Sequence, residues 1–250
     1  MINILFAIAG ATLLEARRSR LPWLLAALGA LALAASAFLR ELALTESVQL
    51  QAALLAAALR LAAAALVAGF VVTSMQREAN DKGDQLLLAL ALPRAAWLLG
   101  RLLGFALAAL APALLAGALC ALFAPPAQAL LWAVSLLWEL WIVAAFSLLC
   151  ALGLSQPLPA LAASAGFYVL ARAIGALQLL GHAGAPREGP FRLLDAIALI
   201  LPRLDRFSRT DWLVYHSGSG ADLAPLLVQT ALCIALVTAA ALVDLYRKAI

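Results

Sequence analysis

The chain has 250 residues, 66% of them hydrophobic and only 12% charged, with a formal net charge of +4. Soluble domains are about 45–50% apolar and 25% charged, and a globule of this length buries only about 70–75% of its chain surface, so a sequence this apolar would expose large sticky patches to water. A soluble globule is excluded, lipid is the natural solvent, and the small, dispersed positive charge suits anionic headgroups on one membrane face rather than a nucleic-acid groove.

Residues 1–20 begin with an apolar stretch, Met1 to Leu14, followed by Arg17, Arg18 and Arg20. That order is the reverse of a signal peptide, and the stretch is too short to cross a bilayer, so it predicts a retained interfacial helix leading into a first span. Apolar runs long enough to cross the hydrocarbon core follow at residues 21–39, 50–73, 98–123, 130–152, 158–180 and 223–243. Pro22 opens the first, Pro125 and Pro126 separate the third from the fourth, and Pro157 and Pro159 separate the fourth from the fifth. Pro112, inside the third, predicts a kink. Cys120, Cys150 and Cys233 lie in apolar runs without CxxC spacing and read as small buried hydrophobes. The expected fold class is an all-α integral membrane protein of six transmembrane helices forming one domain.

Two connections carry more information than the spans. Between the second and third spans, residues 75–97 place a charged run ending in Asp81, Lys82, Gly83 and Asp84 ahead of a short leucine-rich helix, Leu86 to Leu92, which Pro93 closes beside Arg94. Acids at 81 and 84 suit a helix start, and the helix is too short to span, so it should lie along the membrane face. Between the fifth and sixth spans, residues 181–222 form a long loop. Its apolar stretch Phe191 to Leu201 carries Arg192 and Asp195 and stops at Pro202, which predicts a re-entrant or interfacial helix. Asp205 follows, and Trp212 and Tyr215 suit anchoring at headgroup level. Asp195, Pro202, Asp205 and Trp212 together predict an outer lid; a loop that merely rests on the membrane is the alternative.

Basic residues set the orientation, because Lys and Arg beside the spans are retained on the cytoplasmic side. Arg17, Arg18, Arg20, Arg77, Lys82, Arg94, Arg101, Arg247 and Lys248 share one side, against Arg40, Arg187, Arg192, Arg203, Arg206 and Arg209 on the other. Five of the latter belong to one long loop, whose charge weighs less. Both termini are therefore expected inside, in a bacterial cytoplasmic (inner) membrane.

The connection at 75–97 resembles the inner loop of ABC-2-type permeases of ATP-binding-cassette exporters. The matching positions are Glu78, Gly83, Leu86 to Leu92, Pro93 with Arg94, and Gly100 with Arg101, the last standing where that family has Gly-Lys. The resemblance extends loosely to the N-terminal helix, the six spans and the long outer segment. It implies a coupling helix, with Glu78, Gly83, Asp84, Leu88, Pro93 and Arg94 as ATPase-coupling residues, seated in a separate ATPase subunit that binds ATP and Mg. It also implies a second permease copy, identical or related, and membrane lipids as surroundings. The sequence agrees in one respect: it has no GxxxxGK[ST] phosphate loop, so it does not cradle ATP in the usual way, and no cofactor bound by the chain itself is expected.

Arg60, Glu139 and Arg172 fall within spans, where an ionised side chain costs around 2.5–3.5 kcal/mol and needs a partner or water. Counted at about 1.5 Å per residue, all three lie roughly 12–15 Å below the outer boundary, close enough in depth to meet. Two arginines and one glutamate leave one positive charge over. It faces an aqueous path, a lipid phosphate or an anionic substrate group, or else an ion pair fixes helix packing while the third charge snorkels outward.

An intramembrane enzyme lacks its chemistry here: His182 and His216 are both in the outer loop, HExxH is absent, and no span pairs Ser with His or two Asp residues. No metal cluster surrounds the histidines. An ion-coupled secondary transporter and a non-transporting ABC-type assembly factor remain as alternatives. Ala- and Leu-rich spans predict a greasy lateral opening and thus a hydrophobic or amphipathic substrate for an exporter.

Overall fold

A computed structural model describes residues 2–42, 47–80, 93–184 and 201–247. These residues are helical, with no strand among them: α1 (Ile2–Arg18), α2 (Leu21–Leu42), α3 (Ser47–Asn80), α4 (Arg94–Ala108), α5 (Leu110–Cys120), α6 (Pro126–Gly153), α7 (Pro157–Gly184), a short α8 (Thr210–Val214) and α9 (Leu223–Arg247). Six segments are long and apolar enough to cross a membrane: Leu21–Phe38, Gln51–Asn80, Arg94–Cys120, Pro126–Gly153, Pro157–Gln178 and Gly220–Arg247. The six expected spans are therefore present. The expected coupling helix, with Gly83, Asp84 and Leu88, and the expected re-entrant stretch, with Asp195, lie outside the described residues.

Prolines set several boundaries. Pro125 stands at the N-cap of α6 and Pro126 at its first turn, where a missing N–H costs nothing. Pro93 occupies the N-cap of α4 in an extended conformation, and the amides of Ala96 and Trp97 donate to its carbonyl. Within the third span the helix breaks at Ala109, three residues before Pro112, as the expected kink requires. The Trp141 indole donates to the Ala106 carbonyl beside this break at 3.1 Å, meeting a polar group that lipid would leave unpaired.

The helix α6 is the centre of the bundle: Trp132, Ser135, Leu136, Glu139, Leu140, Ile142 and Ala144 are fully buried, and α3, α4, α5, α7, α8 and α9 all pack on it. The outer helices α2 and α9 show leucines such as Leu24, Leu31, Leu232 and Leu236 to the surroundings, as lipid-facing helices do. The bundle has a proximal end, where α3 finishes and α4 begins, and a distal end, where residues 201–222 lie. Between α6, α7 and α9 runs an apolar groove of about 1000 Å³, lined by Phe146, Phe167, Val228 and Leu236, with Arg203 at its distal rim.

Lipid gives no hydrophobic drive between helices, so small residues and close packing must hold them. α1 lies side by side with α4 and buries Ala9, Thr12 and Ala16 on one face. The approach is closest at Gly100 and Gly104: a Cβ at Gly104 would stand 2.5 Å from Thr12 Cβ, and one at Gly100 would stand 2.9 Å from Ile8 Cβ. Gly104→Ala is accordingly expected to destabilise the protein by about 1–3 kcal/mol through overpacking. Gly69→Ala, which meets nothing within 4 Å, should be close to neutral. Thermal unfolding of the two variants in detergent compares them directly.

Helices reach into the connection expected at 75–97 from both ends: α3 continues to Asn80 and the next helix starts at Arg94. Polar side chains extend α3: Gln76 donates to the Leu154 carbonyl at 2.9 Å, and Glu78 is ion-paired with Arg101.

Candidate functional site

Two polar clusters interrupt the apolar bundle, one toward each end. The distal cluster is built on Glu139, which α6 places at zero exposure. Three groups donate to its carboxylate: the Tyr168 hydroxyl at 3.0 Å, the Arg172 guanidinium at 3.1 Å and the Ser208 hydroxyl. Tyr168 and Arg172 are four residues apart on α7, which puts both on the face toward α6. A buried carboxylate requires such partners, since an ion left without them in low dielectric is strongly disfavoured.

Arg172 also donates to the Leu204 carbonyl at 2.9 Å and to that of Phe207 at 3.5 Å. Arg60, from α3, donates to the Ser208 carbonyl at 3.2 Å. Ser208 itself has a left-handed backbone, φ 41°, and its amide donates to Ser135 Oγ at 3.0 Å. Each polar group of this residue therefore points at a helix of the bundle. Leu204, Phe207, Trp212 and Leu213 are buried in the core beside it, so residues 201–214 pack into the distal end of the bundle and are termed the plug.

Of the expected lid residues, Pro202, Asp205 and Trp212 belong to this plug. Trp212 corrects its expected role: it is 3% exposed and stacks under Gly218, where a Cβ would come within 2.9 Å of its ring. Its ring packs inward, and Gln128 of α6 holds the following loop over it through the His216 and Gly218 carbonyls and the Gly218 amide. Tyr215, at 72% exposure, stays on the outside. Asp205 packs against Gly175, leaving no room for a Cβ there.

The three intramembrane charges thus share one cluster, but not as a three-way contact. Glu139 and Arg172 form the ion pair, while Arg60 joins through the Ser208 backbone. Ser208→Ala removes a hydrogen bond to a charged group while keeping the left-handed backbone, an expected loss of about 1.5–3 kcal/mol. Ser208→Gly loses the same bond but relieves a left-handed conformation that costs a side-chain-bearing residue about 1–2 kcal/mol. Wild type, glycine variant and alanine variant should therefore unfold in descending order of midpoint.

The proximal cluster centres on Arg101, buried where α1, α3 and α4 meet. Its guanidinium donates to Thr12 Oγ1 at 3.1 Å and to Glu15 Oε2 at 3.2 Å, and it is ion-paired with Glu78. Ser74 donates to both oxygens of Glu15 at 2.8 Å. One arginine thereby serves two carboxylates from two helices, a geometry that a planar fork of donors permits. Glu78 and Arg94 bracket the undescribed 81–92 segment. Arg94 begins α4 and lies over the Tyr246 ring at 5.6 Å, tying α4 to the end of α9.

Arg60, Glu139, Arg172 and Glu78 stand out in the sequence, whereas Tyr168, Ser208, Ser135, Glu15, Ser74 and Thr12 do not. Glu15 offered a signal, a lone carboxylate closing an apolar helix; the hydroxyls offered none, being common in membrane helices. Among the described residues no group of three or more His, Cys, Asp or Glu is placed to hold a metal. No family model matches the chain and no curated protein matches it.

Proposed function

We propose that the chain is the membrane-spanning subunit of an ABC-2-type exporter, driven by ATP hydrolysis on a separate ATPase subunit with its ATP and Mg. The observation that carries the reading is α3, an unbroken helix from Ser47 to Asn80 that joins the two polar clusters. Glu78 sits in its proximal cluster and Arg60 in its distal one, eighteen residues apart and so about 27 Å along the axis.

A force applied to residues 81–92 meets a firm mount, because the Glu78–Arg101 ion pair clamps the end of α3 to the start of α4. A rigid helix passes that displacement to Arg60, which holds the plug by the Ser208 carbonyl. Moving Arg60 relative to α6 and α7 would free the plug and open the distal end. Glu78, Gly83, Asp84, Leu88, Pro93 and Arg94 are the coupling residues of this scheme, with Glu78 acting through Arg101 rather than by touching the ATPase. The apolar groove between α7 and α9 gives a hydrophobic or amphipathic substrate lateral entry. In this reading both termini and the 81–92 segment face the cytoplasm, the bilayer is a bacterial inner membrane, and a second permease copy completes the assembly.

The test is a cysteine at position 88, cross-linked in whole cells and followed by purification. A cross-link to a phosphate-loop ATPase, and ATP hydrolysis by the purified assembly, are the expected results. Labelling of that cysteine from outside the cell, or an assembly that never contains such an ATPase, rejects the reading.

A further inference from the structure

The distal cluster opens outward into a cleft of about 520 Å³. Its lining brings together four guanidinium groups from three separate parts of the chain: Arg60 of α3, Arg172 of α7, and Arg206 and Arg209 of the plug. Asp205 and Asp211 also line it, so the wall keeps more positive than negative charge. Arg209 and Asp211 pair at 3.1 Å with both side chains about half exposed, a contact that water screens and that an incoming ion can rearrange at little cost. Among the described residues Arg206 has no ion pair, and the buried Arg60 Nε has no hydrogen-bond partner. A membrane protein that gathers arginines at one open cleft, and leaves their donors incompletely used, has built a receptor for an anion.

We propose that this cleft binds a phosphate-class oxyanion, either the phosphoryl group of a lipid headgroup or a soluble phosphate compound. Arginine forks donate in pairs to phosphate oxygens, and the several oxygens of a phosphoryl group can engage forks from different walls at once. The Thr210 hydroxyl adds a neutral donor to the same wall. Arg206 and Arg209 make the first contacts because both are exposed, whereas Arg60 and Arg172 lie deeper and are half-buried. Those deeper arginines also hold the plug through the Ser208, Leu204 and Phe207 carbonyls. An anion that draws on the same donors competes with the plug, so occupancy of the cleft and closure of the distal end oppose one another. This site requires no ATPase and stands apart from the proposed function.

The experiment uses the full purified chain in phosphatidylcholine nanodiscs. Inorganic pyrophosphate is titrated calorimetrically, and in parallel nanodiscs doped with phosphatidic acid are analysed for retained lipid by native mass spectrometry. Binding of either probe that falls at least about tenfold in the Arg206→Gln/Arg209→Gln double variant is the expected result, two guanidinium contacts being lost. The same binding should weaken steeply with salt and be unchanged in Arg17→Gln/Arg18→Gln, which alters exposed arginines of α1. Phosphatidic acid retained without pyrophosphate binding identifies the lipid headgroup as the source, and the reverse identifies a soluble phosphate. The proposal is overturned if neither probe binds, or if the double variant at 206 and 209 binds both as wild type does. Equal losses at 17 and 18 overturn it as well, since attraction would then be diffuse.

Discussion

Glu139→Ala is expected to cost about 3–5 kcal/mol, because it breaks the buried ion pair with Arg172 from one side and leaves the Tyr168 and Ser208 hydroxyls without their acceptor. For a protein of ordinary marginal stability that is a large share of the total, so accumulation in the membrane should fall sharply along with the unfolding midpoint. The paired change Glu139→Leu/Arg172→Leu removes both charges together and should recover most of the loss, since a buried ion pair replaced by packed apolar groups is often neutral or better. The cycle built from these variants is therefore expected to show strong coupling between the two sites. A second cycle, Arg60→Leu with Glu139→Leu, should show weaker coupling, because Arg60 donates to the Ser208 carbonyl whereas the ion pair of Glu139 is with Arg172. Thermal unfolding of the purified variants decides both cycles, and simple additivity at positions 139 and 172 would mean that the ion pair does not govern the distal end.

The contrast between the two cycles also marks how much of the site was legible in the sequence. Depth along a span can be counted from a run of residues, and that count put Arg60, Glu139 and Arg172 at one level. Rotation about each helix axis cannot be counted in the same way once a span is apolar all round, as α6 is, so depth alone did not say which arginine meets the acid. The plug was harder still. Residues 201–214 carry charges and turn formers that read as a surface loop, yet their backbone carbonyls are the acceptors for the two buried arginines. Trp212 shows the same limit: an aromatic residue near a membrane boundary fits the headgroup belt and the core equally well, and in the structure it is buried beneath the loop that Gln128 grips. By contrast, spans, breaks and the kink at Pro112 depend on length, hydropathy and proline sterics, which are local properties. They could be read with errors of a few residues, the largest where Gln76 and Glu78 carry α3 beyond its apolar run.

Arg101→Met is the change with the largest expected effect at the proximal end. It removes the only cation that Glu15 and Glu78 share among the described residues, leaving two carboxylates facing each other in a site where Arg101 itself is 7% exposed. Breaking a buried pair from one side costs about 3–5 kcal/mol, and here one substitution breaks the ion pairs to both Glu15 and Glu78. Replacing the acids as well, in Glu15→Gln/Glu78→Gln/Arg101→Met, should restore a substantial part of the stability, since no uncompensated charge remains. Arg101→Lys separates stability from coupling: a compact ammonium keeps the charge balance but lacks the planar fork that reaches Thr12, Glu15 and Glu78 together. That variant is expected to fold with a modest loss and, under the proposed exporter function, to transport less than its remaining stability would allow, because the clamp between α3 and α4 would yield when the ATPase pushes the connection after α3. Unfolding midpoints measured beside ATP-driven transport in proteoliposomes separate the two effects. Transport in Arg101→Lys that tracks folded protein one for one would show that the clamp holds the fold without transmitting force.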